Sequence, residues 1–257
     1  MTYKMLRLDV KDHVAVVTLD RPPVNALSGE MQSEIQSVFD EIGERSDVRV
    51  AILTGAGRIF CAGADLKARA GKPMTGGEYW GHSRSVRESF NAVMECKRPV
   101  IAALNGPALG GGLALAASCD ILIASETAEM ALPEINVGLL GGGRHAMRLF
   151  GHSRARMLAF SGMRIGADEL YRLGIVERVV APEKLMDAAI EIARNLAGKA
   201  PLALELAKHA MNTVEFMTIR DGYRFEQNMT RQIADTEDSQ EAQRAFVEKR
   251  APVFKGR

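Results

Sequence analysis

The chain has 257 residues, and its 33 lysines and arginines nearly balance its 32 aspartates and glutamates, for a formal net charge of +1. That balance offers no electrostatic footing for nucleic acid or an anionic membrane surface, and the scattered Cys61, Cys96 and Cys119 give neither a disulfide frame nor a zinc site, which fits a reducing compartment. No apolar run approaches the roughly 18 residues of a membrane span and MTYKMLRLDV lacks the features of a signal peptide, so a cytoplasmic protein of one large domain, or a domain plus a subdomain, is expected.

Leu6–Val10 and Val14–Leu19, on either side of Lys11-Asp12-His13, read as a β-hairpin. Arg21-Pro22-Pro23 ends it, because proline cannot donate to a strand ladder. Ser28 is placed to cap a helix whose buried face runs Met31, Ile35, Val38, Phe39 and Ile42. A strand is expected over Val48–Leu53, with Thr54-Gly55-Ala56-Gly57 as its loop. Next comes a turn of small residues, Ile59-Phe60-Cys61-Ala62-Gly63-Ala64-Asp65-Leu66. Ala62, Gly63 and Ala64 allow a ligand to approach the backbone, and Asp65 can cap the following helix start. Residues 67–84 are polar and glycine-rich (Lys67, Arg69, Lys72, Gly76, Gly77, His82) and read as a mobile surface loop of the kind that covers a site. A helix around Val86, Phe90, Val93 and Met94 leads back to Pro99.

The most telling stretch is Pro99–Asp120. Val100–Leu104 is a short apolar strand closed by Asn105-Gly106, then come Gly110, Gly111 and Gly112, then an almost wholly apolar helix from Leu113 to Ser118. Glycines at a helix start leave N–H groups bare where the helix dipole favours negative charge. Such a device holds a phosphate or an oxyanion developing on a carbonyl, although close helix–strand packing asks for the same residues. Strand, glycine turn and helix occur twice between Val48 and Asp120, a faint internal repeat. Further strands are expected at Ile121–Ala124, Glu129–Leu132 and Val176–Val180. Gly138–Gly143 opens a helix through Phe150, and others follow at Arg154–Phe160 and Ala167–Leu173. From Pro182 nearly everything is helical, including segments at Leu202, Leu206 and Ala210 and at Phe225–Ile233. The composition shift near residue 195 divides the chain into 1–195 and 196–257, with a basic tail at Lys249–Arg257.

On these residues the chain resembles the enoyl-CoA hydratase/isomerase family, the crotonase superfamily, nearly end to end. The markers are Arg21-Pro22 with Asn25-Ala26-Leu27, then Phe60 to Leu66, Pro99 to Gly106 with the triple glycine, Cys119-Asp120, Leu132-Pro133-Glu134, and Phe246 to Arg257. The last of these is similar to the ending of carnitinyl-CoA dehydratases. The resemblance implies an α/β fold: a spiral of repeated ββα turns over 1–195 carrying the acyl-CoA site, and a helical region over 196–257 that assembles a homotrimer or a dimer of trimers. It implies an acyl-CoA thioester substrate, no metal, and no cofactor beyond the coenzyme A of the substrate. The N–H groups of Ala64 and Gly111 are expected to polarise the thioester carbonyl, with Glu134 as acid/base. Ala26, Ala62, Asp65, Leu66, Lys67, Ala114, Pro133, Gly142 and His145 are expected around the substrate. Lys67 would face the coenzyme A phosphates, as would the basic tail of a neighbouring subunit.

Two departures from the family pattern matter. Its hydratases hold water between two glutamates, and the first of those positions is Ala114 here. A single glutamate suffices to move a proton between C2 and C4, and some hydratases of the family keep only the second. Leu132, Ile135 and Leu139 beside Glu134 would raise its pKa into the range of a general acid/base. The second departure is Gly141-Gly142-Gly143-Arg144-His145, where the family has proline at 141 and glycine at 144 and 145. His145 then either faces the acyl pocket as an extra acid/base or covers the helix on its outside. Asp120 reads as structural. Hydration or isomerisation of an enoyl-CoA is the leading expectation. Decarboxylation of a malonyl-CoA-type thioester, thioester hydrolysis and a catalytically silent acyl-CoA binder are the alternatives, and Ala114 does not oppose the first of these.

Overall fold

The computed structural model describes residues 3–66 and 73–257. Its main sheet has the spatial order β1 (Leu6–Lys11), β2 (Val14–Leu19), β3 (Val50–Gly55), β4 (Val100–Leu104), β6 (Ile121–Ser125) and β9 (Val179–Val180). A second sheet of β5 (Ala108–Leu109), β7 (Glu129–Ala131) and β8 (Arg164–Gly166) stands beside it. Among the described residues the helices are α1 (Gly29–Glu44), α2 (Gly76–Glu95), α3 (Gly111–Ala117), α4 (Gly143–Leu149), α5 (His152–Ser161), α6 (Ala167–Arg172), α7 (Leu185–Ala197), α8 (Pro201–Val214), α9 (Ile219–Ala234) and α10 (Glu237–Glu248), with 3-10 turns at Pro133–Val137 and Pro182–Lys184.

The hairpin forms as expected. Asp12 and His13 both adopt left-handed φ, 52° and 65°, the conformation whose twist matches a two-residue hairpin loop. β1 and β2 therefore pair antiparallel, and the remaining strands of this sheet pair in parallel. Parallel strands covered on both faces read as continuous apolar runs, and β3 and β4 are buried along their whole length. Alternation decides which helix each residue meets. Ala51, Leu53, Ala102 and Leu104 face α1, whose Met31, Ile35, Val38, Phe39 and Ile42 are buried with them. Val50, Ile52, Ile101 and Ala103 face the opposite side and pack under Leu185, Ala189 and Ala193 of α7. Ser28 caps α1, its hydroxyl accepting the Met31 N–H at 3.2 Å.

Several boundaries differ from the sequence expectation. α2 starts at Gly76, not near Val86, because Thr75 and Glu78 form a reciprocal capping box that offsets two poor helix formers. Residues 76–84, including His82, are therefore helical and not a loop. Lys67, Arg69 and Lys72 of the same stretch lie outside the described residues. β3 runs two residues later than expected, and the strand expected over Val176–Val180 is confined to Val179–Val180. β5 and β8, of 2 and 3 residues, are too short to leave a periodic signal.

Two polar anchors fix the loops and the C-terminal helices. Lys208 of α8 lies 2.8 Å from Asp120 Oδ2 and donates to the Arg98 carbonyl at 3.1 Å, while the same Asp120 oxygen accepts the Val100 N–H at 2.6 Å. Asp120 is thus structural, as expected. The tail folds back on its own chain, with Arg250 on Glu241 and Glu248, and Arg257 on Glu237. Arg250, Lys255 and Arg257 of the tail thus have acidic partners within this subunit. The second anchor is Asn25, fully buried at φ 52°. Its Oδ1 accepts the Arg21 N–H at 3.0 Å, and its Nδ2 donates to Ala56 and Ile59 carbonyls at 3.0 and 2.8 Å. Asn25→Ala orphans these groups and keeps the left-handed backbone, so it is expected to cost about 3 kcal/mol. A urea unfolding curve with a lowered midpoint and unchanged slope checks this.

Candidate active site

The turn at Cys61–Leu66 and the N-terminus of α3 are pressed together by backbone contacts. Leu109 N–H donates to the Cys61 carbonyl at 2.9 Å, Leu27 N–H to the Gly63 carbonyl at 2.8 Å, and Asp65 N–H to the Leu27 carbonyl at 3.2 Å. Only glycine fits where these segments touch. A Cβ on Gly112 would overlap the Cys61 carbonyl, and one on Gly63, which sits at φ +85°, would lie 2.6 Å from the Leu109 oxygen and 2.9 Å from the Gly111 nitrogen.

This packing brings two backbone amides side by side. A Cβ built on Gly111 would stand 3.6 Å from the Ala64 nitrogen. Gly111 is the first residue of α3, so its N–H is one of those a helix leaves without an internal acceptor. Among the described residues neither the Ala64 nor the Gly111 N–H has an acceptor in the protein. Two adjacent unpaired donors form a place for one negatively polarised oxygen.

Glu134 arrives from the other side. Pro133 opens the 3-10 turn after β7, with its fixed φ and no N–H to lose, and Gly138 closes the turn in the left-handed conformation at φ 71°. The Glu134 carboxylate rests against Gly110, where a Cβ would overlap it, and against Gly141, where a Cβ would come within 3.3 Å of Oε1. Its Oε2 is buried and has no hydrogen-bond partner. Burial pushes the carboxyl pKa above the usual glutamate range. The carboxylate lines a cavity of about 340 Å³ whose other side chains, Leu132, Ile135, Leu139, Leu140 and Ala159, are all apolar. Gly110 directly precedes Gly111 in the chain. The acid therefore contacts the residue next to the donor pair, while the lining of its cavity includes neither Ala64 nor Gly111. Neither of the two larger cavities, about 700 and 630 Å³, is lined by Glu134, Ala64 or Gly111.

The other expected residues fall into three groups. Gly142 lines the cavity, and Pro133 opens the turn that carries Glu134. Gly142, at φ 68°, sits where a Cβ would meet Leu132 at 2.7 Å. Ala114 is buried one turn into α3, its N–H on the Gly110 carbonyl at 3.1 Å, and offers only a methyl group. Ala26, Ala62, Asp65 and Leu66 belong to the segments around the Ala64 amide. There Ala62 N–H donates to Val24, and Arg21 donates to the Ala26 carbonyl and pairs with the Asp65 carboxylate at 2.5 Å. Asp65 holds this ion pair directly before the helical Leu66, and the rest of the helix it was expected to cap lies outside the described residues. Leu66 is exposed. His145 stands on α4, its ring edge-on to Phe90 at 5.0 Å, and burial together with Arg148 and Arg144 lowers its pKa. Lys67 lies outside the described residues.

No sequence pattern ties the Arg21 side chain to Asp65, Ala159 to the cavity, or Gly110 and Gly141 to the acid. Gly141 in place of proline was the one available signal. Burial pushes the Cys61 thiol, directly beneath the turn, up to about 12, which makes it a packing group and not a nucleophile. Among the described residues no three His, Cys, Asp or Glu side chains converge as metal ligands would, and no helix is long and apolar enough to cross a membrane.

Comparison with known proteins gives a consistent result. A family model described as enoyl-CoA hydratase/isomerase matches residues 9–257. A short-chain-enoyl-CoA hydratase of Clostridium acetobutylicum is 40% identical over 248 residues, covering 95% of this chain and 94% of the relative. The carnitinyl-CoA dehydratase of Escherichia coli K12 is 36% identical over 261 residues and 98% of each chain. The crystal structure of an enoyl-CoA hydratase from Bacillus anthracis superposes with a TM-score of 0.93 at 38% identity, covering 99% of this chain and 100% of that one. The α/β architecture is therefore the one these hydratases share.

The desolvated carboxylate has a measurable cost. Its folded-state pKa lies above the unfolded value, so its stabilising contribution is full below the unfolded pKa and is lost as pH rises through the folded one. Glu134→Gln removes that loss. The variant is expected to be more stable than the parent near pH 8, with the difference vanishing toward about pH 4. Urea unfolding at the two pH values checks both the sign and the convergence.

Proposed function

Because the chain belongs to the enoyl-CoA hydratase/isomerase family, we propose that it seats the thioester carbonyl of an enoyl-CoA on the Ala64 and Gly111 N–H groups and moves protons along the acyl chain with Glu134. The observation that carries this reading is the unpartnered, buried Glu134 Oε2 beside the unpartnered N–H pair. An oxygen held by two such donors stabilises the enolate that forms when C2 gains or loses a proton. Loss of one donor typically costs about 3 kcal/mol of barrier.

Isomerisation needs nothing more. The Glu134 carboxylate takes a proton from C2 of a 3-enoyl thioester, the electron pair delocalises onto the thioester oxygen, and the same carboxyl returns the proton at C4. Hydration asks for a proton at C2 and a hydroxyl at C3, and burial, by favouring the protonated form of the Glu134 carboxyl, favours its use as the acid. The cavity of about 340 Å³ with apolar walls suits a short hydrocarbon chain, in keeping with the short-chain enoyl-CoA named for the Clostridium relative. No cofactor beyond the substrate's coenzyme A enters either reaction, and Lys67 is the residue expected to face its phosphates.

Residues 196–257 are read as a trimerisation region following the 1–195 core. α9 and α10 leave Ile219 and Phe246 at 92% and 86% exposure, apolar surface that a homotrimer, alone or paired into a dimer of trimers, would cover. Decarboxylation of a malonyl-type thioester stays as a second reading because Ala114 supplies no acid and that reaction needs none there.

The test is NMR of crotonyl-CoA and a 3-enoyl-CoA with the protein in deuterated water. Migration of the double bond, or a 3-hydroxyacyl product with deuterium at C2, is expected. Glu134→Gln should lower either rate by at least about 100-fold. A Gln variant as fast as the parent sinks the proposal, and turnover of malonyl-CoA but of neither enoyl thioester selects decarboxylation.

A further inference from the structure

The cavity beside Glu134 has walls of unequal origin. Leu132, Ile135, Leu139 and Leu140 come from the strand end, turn and glycine segment that carry the acid itself. Among the described residues, Ala159 of α5 is the one lining residue outside 132–143. α5 turns Ala155, Leu158, Ala159 and Gly162 to one side at the spacing of a single helix face. Ala155 and Leu158 are buried in the core, and Ala159 is partly buried against it. The end of the helix is seated on the Glu134 turn, because a Cβ on Gly162, at φ 65°, would lie 2.7 Å from Asn136 Nδ2.

These walls differ in how far they can yield. Leu139 and Leu140 are exposed, so their side chains can turn toward solvent. Alanine has no rotamer to change, and Ala159 moves only with its helix. The buried Leu158 and the Gly162–Asn136 contact hold that helix in place, since packed interiors resist displacement. The width of the cavity therefore depends on how far the side chain at 159 projects from a fixed support. With a methyl group there, the cavity keeps about 340 Å³.

A Glu134 carboxylate that moves protons at C2 and C4 has both carbons beside it. Carbons beyond C4 then need apolar space adjoining that carboxylate, and neither of the two larger cavities is lined by it. We infer that Ala159 sets the acyl-chain length the protein accepts, its methyl group leaving room past Glu134 for a straight chain longer than four carbons. The inference rests on the Glu134 reading for where the chain lies. No step of the reaction passes through Ala159.

Calorimetric Kd values for butyryl-CoA and hexanoyl-CoA test this in the parent, Ala159→Gly, Ala159→Val and Ala159→Leu. Both ligands carry the same coenzyme A, so their ratio isolates the end of the acyl chain. The parent is expected to bind hexanoyl-CoA at least as tightly as butyryl-CoA. Ala159→Leu should weaken hexanoyl-CoA about 10-fold relative to butyryl-CoA. Ala159→Val should shift the ratio in the same direction by less, which keeps the test open if the leucine variant does not fold. Ala159→Gly adds nothing to the wall and should keep the preference of the parent. A ratio unmoved in the valine and leucine variants, or a parent that binds hexanoyl-CoA more weakly than butyryl-CoA, would overturn the inference. Binding is read without turnover, so the two proposals fail separately. Full turnover of enoyl thioesters by Glu134→Gln defeats the reading of Glu134, whereas an unmoved ratio defeats the role of Ala159.

Discussion

The site depends on one contact, the seating of the N-terminus of α3 on the backbone of the Cys61–Leu66 turn. Gly112 on the Cys61 carbonyl and Gly63 on the Leu109 oxygen leave no room for a single extra carbon. Their closeness aligns the Ala64 and Gly111 amides, and it brings Gly110 to the place where Glu134 can reach it. Interiors are packed as tightly as crystals, so a methyl group inserted here shifts backbone and not merely a side chain. The buried sheet beneath explains why the contact holds. β4 leads into Asn105, whose Oδ1 accepts the Gly55 N–H at 3.0 Å and whose Nδ2 donates to Gly57 at 3.0 Å, locking the two strand ends that deliver the turn and the helix.

Glu134 shows the opposite design. Nothing bonds its buried Oε2, and glycines at 110 and 141 flank the carboxylate without supporting it. A structural acid would be satisfied, as Asp120 and Asp65 are by Lys208 and Arg21. The protein thus tolerates an unfavourable charged state at one carboxyl and neutralises others nearby, a division of roles expected where a group must change protonation as it works.

Much of this was legible in the sequence, for reasons that can be stated residue by residue. The hairpin, α1 and the buried strands follow from periodicity and from Asp12-His13 and Ser28. The triple glycine announced a close approach, and the apolar neighbours of Glu134 announced its desolvation. What stayed hidden was tertiary. Which backbone a glycine faces is not encoded locally, so the distinct partners of Gly110, Gly111 and Gly112 had to be seen. Gly76-Gly77 suggested a loop because the eye falls on glycine, while the Thr75–Glu78 pair that starts α2 carries the stronger physics. The edge-on contact of His145 with Phe90 joins two helices far apart in the chain, which no local pattern announces.

The anchor at Lys208 bears on the order in which the protein can be completed during synthesis. Asp120 and the carbonyls of Val93 and Arg98 are made more than eighty residues before the ammonium group that they receive. A nascent chain that has already threaded out every residue of the acyl site still has that acceptor cluster waiting in water. Only when α8 clears the ribosome does a cation arrive to cover it. Closure of the core is thereby tied to the last quarter of the chain, and a truncated message yields the parts of the site without the bolt that joins them.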